Sequence, residues 1–93
     1  MVIGTLQLTL NIPAARSLKD KRRVVKSLLA RLHNQHNVTV AEVGENDLWQ
    51  ICRVGAAVVS NRGDHANSQL SAIVNMIEKE RDVILVDYEI EIR

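Results

Sequence analysis

The sequence predicts an α+β domain in which two helices pack on one face of a four-stranded antiparallel sheet. Three observations carry that expectation. Apolar residues recur at every second position near both ends of the chain, they recur every three to four positions in two internal stretches, and a turn-rich segment separates two β-branched runs between those stretches.

At the N-terminus Val2, Leu6, Leu8, Leu10 and Ile12 fall on even positions with Thr5, Gln7 and Thr9 between them, the repeat of a half-buried strand that Pro13 closes. Ser17 followed by Asp20 has capping-box spacing and predicts the start of the first helix. Its apolar stripe is Leu18, Val25, Leu28, Leu29 and Leu32, with Asn34 or Asn37 as the stop. VTVAEV, from Val38, reads as the second strand. GENDLW supplies turn chemistry at Gly44, Asn46 and Asp47, and QICRVGAAVVS follows as the third strand, so the two form a hairpin. Within it, Gly55, Ala56 and Ala57 allow a close backbone approach, expected from a packed helix. NRGD breaks the chain, and Asp64 or Asn61 caps a second helix whose stripe is Ala66, Leu70, Ile73, Val74 and Ile77. DVILVDYEIEIR closes the chain as a strand with Ile84, Val86, Tyr88, Ile90 and Ile92 on one side and Asp87, Glu89 and Glu91 on the other. That phase puts the acids, with Val83 and Leu85, on the open sheet face beside Ile3, Thr5, Gln7 and Thr9.

The order is strand, helix, strand, strand, helix, strand. Two right-handed crossovers sharing one sheet give the split βαβ, ferredoxin-like sandwich. With 93 residues, 46% hydrophobic and 25% charged, and no linker or low-complexity tract, residues 1–93 are expected to form a single domain.

Several function classes fall away on composition. Cys52 is the sole cysteine, so it has no partner for a disulfide, a metal knuckle or a redox pair. The N-terminus lacks a basic leader and no apolar run reaches the length of a membrane span, which places the protein in the cytoplasm with no membrane partner. An alternating acidic row is ordinarily a wet strand face rather than an acid and base pair. His33 and His36 offer too few ligands for a metal, and Cys52 in a strand reads as a small buried hydrophobe. The segment NIPAARS contains no glycine and so cannot form the anion loop of an acylphosphatase on the same fold. The expectation is a protein that is not an enzyme and holds no metal or cofactor.

SLKDKRRVVKSLLARL, VTVAEVGENDLWQ, VGAAVVSN and VDYEIEIR together resemble, nearly end to end, the YlxP-like family of small bacterial proteins classed as a domain of unknown function. The resemblance implies a ferredoxin-like bacterial protein whose gene neighbours serve translation initiation and ribosome maturation.

Net charge is only +1, but it is unevenly spread: Arg16 to His36 holds seven cations against Asp20, while the rest of the chain is acidic on balance. Lys19, Arg22, Arg23 and Lys26 fall at i, i+3, i+4 and i+7, on one helix face away from the leucines. With Ser17 and the free N–H groups of the first turn they make an expected phosphate site, weighed against a merely solvated face. RNA or a ribosomal subunit is the expected partner. Aromatics are 2% of the chain, so stacking of bases on the sheet face is not expected. The alternative is a homodimer or small-ligand regulatory module using the open sheet face, with Trp49 as anchor and Asp87, Glu89 and Glu91 at the interface.

Overall fold

A computed structural model describes residues 1–45 and 47–93. The elements are β1 (Val2–Asn11), α1 (Leu18–Gln35), β2 (Thr39–Gly44), β3 (Ile51–Ser60), α2 (Gly63–Glu78) and β4 (Ile84–Ile92). The sheet order is β2-β3-β1-β4 with every neighbouring pair antiparallel, which is the ferredoxin-like arrangement. Asn46, assigned to the hairpin turn by its residue type, lies outside the described residues.

The two-residue period of β1 sets the register of the whole sheet. Leu6, Leu8 and Leu10 face Ala56, Val54 and Cys52 of β3, and all six are buried beneath the helices. Val25, Leu28 and Leu32 of α1 and Ala66, Leu70, Ile73, Val74 and Ile77 of α2 close the same core from one side. Gly4 lets α2 settle close to the sheet: a methyl group there would lie 3.0 Å from Leu70 Cδ1, 3.2 Å from Val58 Cγ2 and 3.3 Å from Ala66 Cβ. Gly55, expected to admit a helix, instead faces the open side, where Val43 of β2 fills the space above it, and only Ala56 points to the core.

The final strand departs from its expected phase. Thr9 opposes Asp87 but Leu10 opposes Leu85, so a bulge leaves Val86 as an extra residue. Val83 and Leu85 therefore turn inward, into or against the core, rather than onto the open face. Val86, at 59% exposure, and Ile84 turn out of the core. Beyond the bulge Tyr88 and Ile90 face Leu8 and Leu6 as expected.

Caps also differ from expectation. α1 ends at His36, whose extended backbone N–H donates to Leu32 O (3.0 Å), not at an asparagine. Arg62 holds the N-cap position of α2 without a capping bond, and Asp64 lies inside the first turn, where Arg62 pairs with it. No helix among the described residues is long and apolar enough to cross a membrane.

Candidate functional site

Ser17 and Asp20 form the capping arrangement their spacing predicts. The Asp20 N–H donates to Ser17 Oγ (3.1 Å), and Asp20 Oδ2 accepts the N–H of Arg16 (3.1 Å). Asp20 Oδ1 also accepts from the Arg23 guanidinium at 3.0 Å. The hydroxyl of Ser17 and the charge of Arg23 are thus engaged locally, and a carboxylate stands over the first turn. The α1 cations left unpaired among the described residues therefore lie along the helix flank rather than at its end.

Lys19, Arg22 and Lys26 are exposed on that flank and, among the described residues, form no ion pair. At roughly 100° and 1.5 Å per residue, Lys19, Arg22, Lys26 and His33 lie within about 60° of one another along about 21 Å of helix. Arg22, Lys26 and His33 border a groove of about 420 Å³ floored by Val25, Leu29 and Ala30 and reaching Glu42 of β2. A row of separated cations on an elongated surface suits a polyanion better than one small anion, which needs donors converging on a point.

One cation of the same run faces inward. Lys21 is 1% exposed, and its Nζ lies 3.2 Å from Glu42 Oε2 as an ion pair, although that oxygen takes no aligned hydrogen bond. Lys21 Nζ also donates to Glu45 O. Glu45 has φ 61°, in the left-handed region unusual for a residue other than glycine, and its carbonyl is held by this buried donor. Sequence reasoning left Lys21 off the cationic face and gave it no place of its own. The signal was nonetheless present, because 21, 25, 28 and 32 are spaced by four, three and four, on the buried stripe itself.

Cys52 completes this cluster. Burial pushes its thiol up to about 12, the Glu42 carboxylate adds to the rise, and the Lys21 ammonium opposes it. A thiol held protonated and away from solvent is a poor nucleophile. His36 sits 3.4 Å from Met76 Sδ through Nε2, while His33 is exposed. No group of three His, Cys, Asp or Glu side chains converges among the described residues.

The second set of expected residues is not brought together. Asp87, Glu89 and Glu91 stand exposed on β4 opposite Thr9, Gln7 and Thr5, with Glu91 paired to Arg93 at 2.7 Å. The Arg93 guanidinium holds the Glu91 carboxyl below its usual range. Trp49 belongs to the β2–β3 loop, beyond the row where Ile51 opposes Asn11, so roughly 20 Å of strand separates it from Glu91. That loop is fastened to the approach to α1. Gln50 Nε2 donates to Pro13 O and Ala15 O (both 3.1 Å), and Ile12 N–H donates to Gln50 O at 2.8 Å. A shallow trough also crosses the open face between Thr5 and Gln7 on β1 and Thr39, Ala41 and Val43 on β2.

A family described as "Protein of unknown function (DUF503)" matches residues 3–90. The chain is also similar to "Uncharacterized protein YlxP" of Bacillus subtilis (strain 168), with 35% identity over 77 residues, covering 83% of this chain and 84% of that protein.

Proposed function

Because the chain belongs to the DUF503 family, of unknown function, we propose on physical grounds that it is a nonenzymatic, cytoplasmic accessory protein that holds the phosphate backbone of a folded RNA, such as a ribosomal precursor, along α1. The observation that carries this reading is the row of exposed cations Lys19, Arg22 and Lys26, without ion-pair partners among the described residues, on a helix whose opposite face is buried. Ser17 and Arg23 support the row from behind: one caps the helix, the other is tethered by Asp20 and joins the surface when that tether opens. Backbone contacts need no base readout, in keeping with a sheet face whose central strands β1 and β3 carry no aromatic residue.

Binding to ribosomal subunits and to a folded RNA, followed over a salt series, tests the reading. With three phosphates engaged, log affinity falls against log salt with a slope of about −2.1 to −2.7. The triple substitution Lys19→Glu, Arg22→Glu, Lys26→Glu is expected to abolish binding while the protein stays folded. Retained binding in that variant rejects the reading.

A second reading, self-association, is favoured by the open face, where Ile3, Val43 and Val59 are exposed around Gly55, Ala41 and Ala57. There the acids Asp87, Glu89 and Glu91 would rim the contact. Light scattering across a concentration series addresses it, and a monomer at every concentration counts against it.

A further inference from the structure

Trp49 is the sole tryptophan of the chain and is 54% exposed, beside Leu48 at 47%. Tryptophan is among the most buried side chains on average, and leaving so large an apolar surface in water forgoes stabilisation. The loop that carries it is nevertheless held in place. Gln50 ties its far end to the carbonyls of Pro13 and Ala15, Leu48 N–H donates to Glu45 O (3.3 Å), and Lys21 Nζ donates to the same Glu45 carbonyl. Lys21 stands on the helical turn whose outward side carries Lys19 and Arg22, so the aromatic loop and the cationic ridge share one base.

We propose that Trp49 is a stacking platform for an unpaired base of the RNA whose backbone lies along α1, a proposal that rests on the backbone-docking reading above. The chemistry of the loop distinguishes base from phosphate. It carries Glu45 and Asp47, which repel a phosphate but do not oppose the π-face of a base. An indole accepts any base with little sequence preference, and a pinned loop loses little conformational entropy on stacking. The ligand class is therefore a helical RNA segment next to an unpaired loop or bulge, rather than a continuous duplex.

Because position 49 is the only indole, fluorescence excited at wavelengths beyond the absorption of Tyr88 reports from it alone. The probes are an RNA hairpin with an unpaired loop and a blunt duplex of the same stem, each end-labelled for anisotropy. The hairpin is expected to quench Trp49 and the duplex is not. Trp49→Ala, a change at an exposed side chain, should weaken hairpin binding by about 5- to 150-fold and leave duplex binding unchanged. Trp49→Tyr should retain most of the affinity. Equal affinity for both RNAs that Trp49→Ala does not alter overturns the stacking role while sparing the ridge. A Trp49→Ala variant with unchanged RNA affinity but altered oligomeric state assigns the indole to a protein contact and likewise overturns it. Absence of anisotropy change with either RNA overturns the ridge reading, and this one with it.

Discussion

Lys21 Nζ meets Glu42 Oε2 at 3.2 Å beneath the first helix, joining α1 to the edge strand β2 through a pair of charges of which the lysine is almost wholly enclosed. Removing one partner strands the other. Lys21→Ala is expected to cost about 3 kcal/mol, the low end for buried pairs because Glu42 keeps some solvent contact. Replacing both, as Lys21→Met with Glu42→Leu, should recover most of that loss. Urea midpoints at constant m-value measure it, and a double variant no more stable than the single one would refute this account.

Cys52 predicts a pH dependence with a definite sign. Its thiol is held up at about 12 in the fold against 9.0 when free, so the unfolded chain loses this proton first as pH rises. The contribution is fully present below pH 9 and drains away between about 9 and 12. Urea midpoints of the native protein should fall more steeply across that window than those of Cys52→Ala. The native thiol should also resist a disulfide-exchange reagent at pH 8 until denaturant is added.

Two glycines of the sheet should respond oppositely to the same methyl group. At Gly4 the new Cβ meets three core side chains within 3.3 Å, and Gly4→Ala should destabilise by about 1–3 kcal/mol. At Gly55 the tight contact is Val43 Cγ1, on an exposed side chain free to turn aside, and Gly55→Ala should be neutral or stabilising by up to about 1 kcal/mol. Thermal unfolding of the two variants settles the order, and equal losses would contradict the packing described.

Asp20 sets stability against binding. Asp20→Ala removes the acceptor for the Arg16 N–H and should cost about 1 kcal/mol. The same change frees Arg23 and removes a negative charge from the ridge, so affinity for folded RNA should rise and the salt slope steepen by about 0.7–0.9. A variant that is less stable but binds no better would show that Arg23 does not reach phosphate.

Much of the fold was legible in local pattern. The even-numbered leucines of β1, the Ser17 and Asp20 spacing and the stripe of α2 each depend on residues close in the chain, and each stands where its period puts it. The cationic flank was legible for the same reason, since helical spacing alone assembles Lys19, Arg22 and Lys26. Lys21 was left out of the buried stripe because only apolar residues were counted there, although its spacing already matched Val25, Leu28 and Leu32.

By itself, then, the sequence determined the order and type of the elements and which helix carries positive charge, because apolar periodicity acts within a few residues. Tertiary structure alone decided that Val86 bulges and turns Val83 and Leu85 inward, and that Glu42 and the Glu45 carbonyl hold the buried Lys21. It also decided that the Trp49 loop is fastened beside the start of α1. Those outcomes depend on which strand lies opposite which and on how a helix docks across it. Such contacts join residues tens of positions apart, and no local repeat encodes them.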